Sequence, residues 1–483
     1  MAALHLLDSA LPHSDPKDFT EIGDDPDIKK RLENLQAHIL KGHGRDHAAH
    51  VFIVFRDGQQ SEVRKWLKEI LPKRLTSAWQ QLEAIEAFKS IKKDGGLLTT
   101  FHLSAKGYEY LALSTTDFED AFKAGMKNRG LADPALDDWE KPFRTDLHAL
   151  VLIAHSSEAI VKFAAEALRA ELGLDGTNPN SMADSIHVEF GKQRHNAAGA
   201  GIEHFGYVDG RSQPIFFTDD VDDETDGKSL WDPTAPLKQV LAADPHGQAD
   251  GASGSYFVFR KLEQDVRGFK SKEQELADAL RLKGKARELA GAYVVGRFED
   301  GTPVVLSNEP VIEDSAGANG APDHALPNNF DYRGDPTGLK CPFHAHIRKS
   351  NPRGTSPGGL DFDRKIQMAR RGITYGNRAD DGTVIDAMPI GGVGLLFMAY
   401  QNNITDQFEF IQKQWVDNND FPTPLTGVDP VIGASSDGSP TQLWPLRYAS
   451  VRDGTTPFGF DGFVKMLGGE YFFAPSLSFF AKL

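Results

Sequence analysis

A β-rich run followed by a segment with helical periodicity recurs four times along this chain, and this order constrains the fold more than any other feature. The runs lie at residues 50–55, 148–154, 255–259 and 393–400, and the helical segments at 63–71, 157–172, 272–282 and 405–415. Further β-rich runs at 97–103 and 185–190 complete the first two units. Apolar residues three and four apart predict a helix face, whereas short runs rich in Val, Ile and Phe predict buried strands. The pattern therefore predicts two β-α-β halves before residue 206 and a repeat of the same order after it.

Paired β-α-β halves favour a ferredoxin-like unit, and two such pairs favour a duplicated one. We therefore predict an α+β fold of duplicated ferredoxin-like domains with antiparallel sheets and flanking helices. The predicted divisions are a tail at 1–30, one domain at 31–205 and a second at 206–483. The loops at 314–340 and 418–442 are rich in Gly, Pro, Asn and Asp, which indicates surface excursions around a site. In the helix at 157–172 we expect one face to carry Ile160, Phe163, Ala164, Ala167 and Leu168.

Composition indicates a globular protein and excludes several partners. The 483 residues suffice for two or more cores, and 40% hydrophobic with 25% charged residues is ordinary for a folded chain. A net charge of −16 argues against nucleic acid and anionic membranes as partners. A single cysteine, Cys341, rules out an intrachain disulfide and a multi-cysteine metal site. The sequence shows no secretory signal and no apolar run long enough for a membrane span, so we expect a cytoplasmic location.

The segment from Cys341 to Arg353, Cys-Pro-Phe-His-Ala-His-Ile-Arg-Lys-Ser-Asn-Pro-Arg, carries the strongest chemical signal. A histidine can bind a transition metal or, as a proximal ligand, haem iron. If the stretch is extended, His344 and His346 share one face, although only one need reach a metal. The basic residues after them, Arg348, Lys349 and Arg353, would place positive charge near an anionic cofactor such as haem. A satisfied structural histidine and a two-histidine non-haem metal hydrolase remain alternatives.

Two further segments matter, Gly-Tyr-Val-Asp-Gly-Arg-Ser-Gln-Pro at 206–214 and Arg-Arg-Gly-Ile-Thr-Tyr-Gly at 370–376. Taken alone, Asp-Gly is a common turn dipeptide and Arg-Arg a common surface pair. Together with the histidine segment they resemble the dye-decolorising peroxidase family of haem enzymes, whose hallmark Gly-x-x-Asp-Gly is matched by Gly206, Asp209 and Gly210. Segments 35–45, 296–303 and 469–475 also match, so the resemblance extends from about residue 31 onward. It is closest to the longer members, of fungal and related bacterial type.

The resemblance implies roles for individual residues. His346 occupies the position of the proximal haem ligand, whereas His344 does not. Asp209 would act as the proton shuttle for peroxide, and general acid–base help of this kind is typically worth about 10²–10⁴-fold. Arg370 would stabilise negative charge on the departing oxygen. Arg371 should point elsewhere.

A carboxylate is expected to hold the imidazole's other N–H. The candidates are Asp406 and Glu409.

Other positions would form the walls of the cofactor site. Gly206 and Gly210 would allow the backbone to approach a planar cofactor without a Cβ in the way. Leu395 and Phe397 alternate onto one strand face and match apolar positions of the distal wall, although core packing explains them nearly as well. Arg348 is expected beside the cofactor.

The resemblance also implies architecture and activity. The fold would be of the dimeric α+β barrel superfamily type, with haem b (iron protoporphyrin IX) held mainly in the C-terminal domain. The expected reaction reduces hydrogen peroxide to water and takes single electrons from bulky reductants such as anthraquinone or azo dyes and phenols. The main alternative is a haem carrier or deferrochelatase-like protein without a peroxidase role.

Overall fold

The chain is represented by a computed structural model that describes residues 26–173, 178, 180–217, 220–221, 229–249, 251–311, 328–380, 382–434 and 442–483. It has an α+β fold built around one large antiparallel sheet with flanking helices. The strands are β1 His47–Phe55, β2 Leu98–Leu103, β3 Ala149–His155, β4 Ala183–Lys192, β5 Arg194–His195, β6 Gly201–Ile202, β7 Ala242–Ala243, β8 Ser253–Gln264, β9 Ala369–Arg370, β10 Ile373–Tyr375, β11 Gly394–Gln401, β12 Gln442–Pro445, β13 Thr455–Phe458 and β14 Val464–Ala474.

The helices pack mainly on the outer face of this sheet. They are α1 Pro26–Asn34, α2 Gln60–Glu69, α3 Ala78–Ile91, α4 Ala105–Tyr110, α5 Asp120–Ala124, α6 Lys141–Arg144, α7 Glu158–Glu171, α8 Val266–Ala279, α9 Glu288–Val295, α10 His346–Ser350 and α11 Gly359–Lys365. Two π-helical segments, Thr405–Glu409 and Ile411–Val416, follow β11. Among the described residues, no helix combines the length and apolar character needed to cross a membrane.

The ten-stranded sheet contains two four-stranded sets with the same order, together with the short strands β7 and β9. The first is β2-β3-β1-β4 and the second is β14-β8-β11-β10, so each has its first and third strands at the centre. This is the order of a ferredoxin-like unit, which confirms the predicted duplicated ferredoxin-like fold. The two sets join at Tyr375 opposite Gly191 and at Phe473 opposite Leu103. Because β8 pairs with both β14 and β11, the sheet closes on itself.

Closure explains why the strands read as continuous apolar runs. All seven residues of β3 are buried, because helices cover one face and the opposite strand set covers the other. Helix α7 packs on β1 and β3, and a large core joins both strand sets. A second core lies among α8, α9 and the segment that leads into α10, and it contains Cys341 and Ala345.

Three details differ from the sequence prediction. Ile160 and Phe163 are 43% and 77% exposed; Leu168 is buried as predicted, but it shares the buried face of α7 with Val161 and Ala165. The predicted helix at 405–415 is π-helical. Strands β10 and β14, which complete the second set, were not predicted as strands. The α7 error arose because an amphipathic face was assigned by counting apolar residues, whereas contact with β1 and β3 decides which face is buried.

The predicted domain divisions remain predictions. The boundary at 205/206 falls between the two strand sets, but α1 spans the boundary at 30/31 and buries Ile28 and Leu32 in the large core. Parts of the two predicted loops, 314–340 and 418–442, lie outside the described residues.

Candidate active site

His346 is the first residue of α10, and a buried carboxylate fixes its ring. Its Nδ1 lies 2.8 Å from Oδ2 of Asp429, which has no solvent exposure. The other oxygen of Asp429 accepts hydrogen bonds from the backbone N–H groups of Val431 and Ile432 at 2.8 and 3.0 Å. Because the carboxylate accepts at Nδ1, the proton of a neutral imidazole resides there. The Nε2 lone pair is then available to a metal.

The electrostatics of this pair favour the charged forms of both His346 and Asp429. Burial lowers the pKa of His346, but the charge and hydrogen bond of Asp429 outweigh burial and raise it overall. Burial likewise raises the pKa of Asp429, and the contacts with His346 and the two backbone donors hold it below its ordinary value. Asp429 therefore remains an anion, as a strong partner for a ligating histidine requires.

Neither carboxylate that the sequence suggested holds His346. Asp406 is exposed at the start of the first π-helical segment. Glu409 is buried, but its carboxylate pairs with Arg129 at 2.7 and 2.8 Å and with Lys413 at 3.2 Å. The prediction was wrong because it relied on the helix after β11, whereas the partner comes from a loop 83 residues after the histidine.

His344 has a different environment from His346, although only one residue separates them. The condition for a shared face, an extended stretch, is not met, because α10 begins at His346. His344 is 2% exposed, and its ring lies edge-on to Trp444 with 4.3 Å between centroids. Burial lowers its pKa to about 3. His344 is thus a neutral core residue.

The structure gives no support to the two-histidine hydrolase alternative. In the part of the chain that the structure describes, the group of three metal-ligating side chains with suitable spacing is Glu140, His187 and Glu189, which includes neither candidate histidine. The ammonium of Lys261 already donates to both of these glutamates, at 2.7 to 2.9 Å.

Lys349 fixes the loop that carries Asp429. Its buried ammonium donates to the backbone carbonyls of Asn418, Phe421 and Gly427 at 2.7–2.8 Å. Burial lowers its pKa to about 8. Since Lys349 lies in the same short helix as His346, one side chain links the ligand helix to the loop of its carboxylate.

The other basic residues of this segment are also buried. Arg348 is 3% exposed and pairs with Asp335 at 2.8 Å while donating to the carbonyl of Cys341. Arg353 donates to the carbonyls of Asn328 and Phe330 at 2.6 and 2.7 Å. These contacts are with protein acceptors, so they do not present the positive charge that the sequence suggested for an anionic cofactor. The expected contact between Arg348 and the cofactor has no support in them.

Asp209 lies in a turn that Glu203 organises. The carboxylate of Glu203 accepts from the backbone N–H groups of Phe205 and Tyr207 at 2.6 and 2.9 Å and from the Gln264 amide at 2.5 Å. Burial raises the pKa of Glu203 to about 7, against these hydrogen bonds. The backbone N–H of Asp209 donates to the carbonyl of Gly201 at 3.0 Å, and the side chain of Asp209 is 38% exposed.

Arg370 reaches the same region from β9. Its guanidinium lies 4.0 Å from the Asp209 carboxylate, and the two side chains are 36% and 38% exposed. The Arg211 carbonyl accepts from the same guanidinium at 2.8 Å. Arg371 points the other way, as expected, and donates to the carbonyls of His38 and Ile39 at 3.0 Å.

The predicted wall residues lie where they can border a pocket. Leu395 and Phe397 are partly exposed on β11, whereas the alternate residues Leu396 and Met398 are fully buried. Gly210 has φ +79°, and a Cβ there would meet no atom within 4 Å. Gly206 has φ +102°, a region that side chains disfavour. Gly210 is exposed, so the space beside it is open to solvent.

The proximal and distal groups act on one another. The charges of Arg370 and Asp209 both contribute to the pKa of His346, in opposite directions. His346, Asp209 and Arg370 thus lie close enough for their charges to interact. The donor set fits haem, because His346 would hold the iron through Nε2 while Asp429 holds the other ring nitrogen. This fold and this set of groups are those expected of a haem peroxidase.

Comparison with known proteins agrees with this class. A family profile described as "Dyp-type peroxidase, C-terminal" matches residues 224–427. The chain is 43% identical to the multifunctional dye peroxidase DyP2 of Amycolatopsis sp. over 94% of its own length and 96% of that protein. The crystal structure of DyP2 superposes with a TM-score of 0.88 over 99% of this chain and all of that one, at 40% identity. A DyP-type peroxidase from Anabaena sp. gives a TM-score of 0.86 at 36% identity, covering 99% and 98%.

The chain therefore belongs to the dye-decolorising peroxidase family. A deferrochelatase of Yersinia pestis is 31% identical, but over 26% of this chain and 28% of that protein. The partial match makes the carrier alternative the weaker one.

Sequence reasoning missed Asp429 and Glu203, and it placed Lys349 beside an anionic cofactor, whereas Lys349 binds the loop that carries Asp429. Neither Asp429 nor Glu203 lies at a sequence spacing that indicates a function, and Asp429 lies in a loop without periodicity. The one signal was indirect, since a ligating histidine requires a carboxylate or carbonyl partner somewhere in the fold.

Proposed function

We propose that this protein is a haem b peroxidase that reduces hydrogen peroxide to water and oxidises dyes and phenols by one-electron steps. The observation that carries the proposal is the His346–Asp429 pair, placed so that the charges of Asp209 and Arg370 act on the same imidazole. His346 would hold the iron through Nε2. Haem iron bound by a histidine supplies the chemistry of electron exchange between peroxide and reductant.

Asp429 determines how His346 serves as a ligand. By accepting the Nδ1 proton it fixes the tautomer and the ring orientation, and its negative charge increases the electron donation of the imidazole. Lys349 keeps Asp429 in this position through the loop carbonyls that it binds.

Asp209 and Arg370 have different roles in the reaction with peroxide. The carboxylate of Asp209 takes a proton from one peroxide oxygen and returns it to the other as that oxygen leaves. The guanidinium of Arg370, always charged, stabilises the negative charge that develops on the departing oxygen. Both side chains are about a third exposed, so protons can exchange with solvent.

The reductants follow from the relatives. DyP2 and a protein of Mycetinis scorodonius that is 35% identical over 78% of this chain are both named dye peroxidases. We extend dye and phenol oxidation to this chain on that basis. A cytoplasmic location remains a prediction from the sequence.

The decisive experiment is a visible spectrum of the purified protein before and after hydrogen peroxide. We expect a Soret band that changes on addition of peroxide and returns when a dye is added. A Soret band that peroxide leaves unchanged would favour the carrier, and protein that takes up no haem would refute both.

A pair of matched variants tests the ligand. His346→Ala should lose most of its haem, whereas His344→Ala, the same change at a buried histidine next but one, should retain it. Equal haem content and an unchanged spectrum in His346→Ala would place the ligand elsewhere.

A further inference from the structure

The segment Gly-Glu-Tyr-Phe-Phe-Ala-Pro at 469–475 matches the family, but the chemistry above does not use it. Its tyrosine, Tyr471, lies in β14 without solvent exposure. The phenol donates a 3.0 Å hydrogen bond to Oε1 of Glu409. That carboxylate is itself 2% exposed. Burial raises the pKa of Glu409, but the hydrogen bonds of Arg129, Lys413 and Tyr471 keep it below its ordinary value, so it is an anion. Tyr471 thus has an anionic base on its hydroxyl.

Aromatic rings connect Tyr471 to the wall of the candidate haem site. Phe397, on the partly exposed face of β11, lies 6.2 Å from Phe408 between ring centroids. Phe408 lies 6.1 Å from Tyr471. Electron tunnelling weakens steeply with distance, so packed rings at such spacing favour transfer between the site and Tyr471.

The other end of this arrangement reaches the surface. Arg129, which binds both oxygens of Glu409, is 24% exposed, and Lys413, which binds one of them, is 31% exposed. Two cations at the surface above a buried carboxylate suit an anionic aromatic reductant, such as a sulfonated dye, in a chain whose net charge is −16.

We infer that Tyr471 is a redox-active residue that relays electrons from anionic aromatic reductants at the Arg129 and Lys413 surface to the haem site. This inference rests on the proposed haem peroxidase function. After peroxide has oxidised the haem site, Tyr471 gives it one electron, its O–H bond breaks, and the proton forms a carboxyl O–H on Glu409. The reductant then supplies one electron to the phenoxyl radical. The proton returns from Glu409, which restores both residues.

Glu409 makes this step feasible. Burial and the charge of Glu409 raise the pKa of Tyr471 well above its ordinary value, so the phenol is protonated before oxidation. Loss of an electron turns a phenol into a strong acid, and an adjacent carboxylate can take the proton without movement of either side chain. Tyr207 also donates to a buried carboxylate, that of Glu273, but burial raises the pKa of Glu273, which weakens it as an anionic base.

The test is freeze-quench electron paramagnetic resonance of the holoenzyme after one equivalent of hydrogen peroxide. Ring-deuterated tyrosine assigns the radical, because deuteration narrows a tyrosyl signal. We expect a tyrosyl signal in the wild type and its loss in Tyr471→Phe, which keeps the ring and leaves Glu409 paired with Arg129 and Lys413. The matched control is Tyr108→Phe, since Tyr108 is fully buried and its hydroxyl has no hydrogen-bond partner among the described residues. The tyrosyl signal of Tyr108→Phe should equal that of the wild type.

A second variant tests the base. Glu409→Gln keeps Tyr471 but removes the proton acceptor, so the tyrosyl signal should fall while the visible spectrum of the resting haem stays the same. If this variant does not fold, the comparison of Tyr471→Phe with Tyr108→Phe still decides the matter. Tyr471→Phe should lower the steady-state turnover of a sulfonated dye. It should have a smaller effect on the rate at which peroxide alone changes the Soret band.

Several results would overturn the inference. A tyrosyl signal that survives in Tyr471→Phe, that disappears in Tyr108→Phe, or that is lost in Tyr207→Phe instead would exclude Tyr471. A Soret band that peroxide changes, without any signal from Tyr471, would refute this inference and leave the peroxidase proposal intact. Protein whose Soret band does not respond to peroxide would refute the peroxidase proposal, and the relay with it.

Discussion

Replacing Asp429 with Asn should weaken haem binding by changing the tautomer of His346. In the native site one oxygen of Asp429 accepts from Nδ1–H and the other accepts from two backbone N–H groups. An asparagine amide has only one oxygen. Turning its NH₂ toward Val431 and Ile432 would leave two buried backbone donors unpaired, at about 1–3 kcal/mol each. The NH₂ therefore faces His346, Nδ1 becomes an acceptor, and the ring proton moves to Nε2, the atom that must bind iron.

The magnitude follows from comparable partners of metal-bound histidines. Loss of such a partner typically costs about 10–100-fold in metal affinity or activity. At 1.4 kcal/mol per factor of ten, this range corresponds to roughly 1.4–2.8 kcal/mol of binding free energy. We expect the upper part of the range, because Asp429 is fully buried and water cannot take its place.

Titration of the haem-free protein with haemin, followed by the growth of the Soret band, measures this loss directly. The matched control is Asp406→Asn, the same substitution at an exposed carboxylate in the π-helical segment Thr405–Glu409. This variant should bind haem like the wild type. Thermal unfolding of the haem-free proteins separates a binding defect from a folding defect. Unchanged haem affinity in Asp429→Asn, or an equal loss in Asp406→Asn, would refute the reasoning.

Three further predictions concern the distal side and the turn that carries it. Arg370→Leu should keep its haem but react with peroxide about 10²-fold more slowly in stopped-flow measurements, as for other lost donors to a developing charge; wild-type kinetics would remove Arg370 from the mechanism. Dye turnover should favour acidic conditions, where a carboxylate can still act as a base and an imidazole cannot. Asp209→Asn should lose part of that preference, and a variant as fast as the wild type at every pH would mean that another group moves the proton. Burial raises the pKa of Glu203 to about 7, so between about pH 4.5 and 7 the folded chain keeps a proton that the unfolded chain has lost, and the free energy of unfolding falls as pH rises through this window. Glu203→Gln should flatten that fall in urea unfolding at about pH 5 and pH 8, and an unchanged slope would contradict the assignment.

The order of elements could be predicted from the sequence because local patterns determine it. Strands β1 and β3 are apolar runs buried on both faces, β11 is an apolar run that is mostly buried, and such runs are distinctive in any chain. The duplicated ferredoxin-like fold followed from their alternation with helices. The Gly-x-x-Asp-Gly turn and the histidine segment could be found because, taken together, they resemble the motifs of a known family.

Tertiary structure alone decided which groups meet. Nothing near His346 in the sequence marks Asp429, and the two come together because Lys349 binds the carbonyls of the loop that precedes Asp429. The buried face of α7 depends on its contact with β1 and β3 rather than on its apolar residues. The positive charges of Arg348 and Arg353 turned inward for a similar reason, since buried acceptors are available to them in the folded chain. Local sequence thus determines which elements and ligand types exist, whereas contacts between distant segments determine their partners, because burial and pairing are properties of the packed molecule.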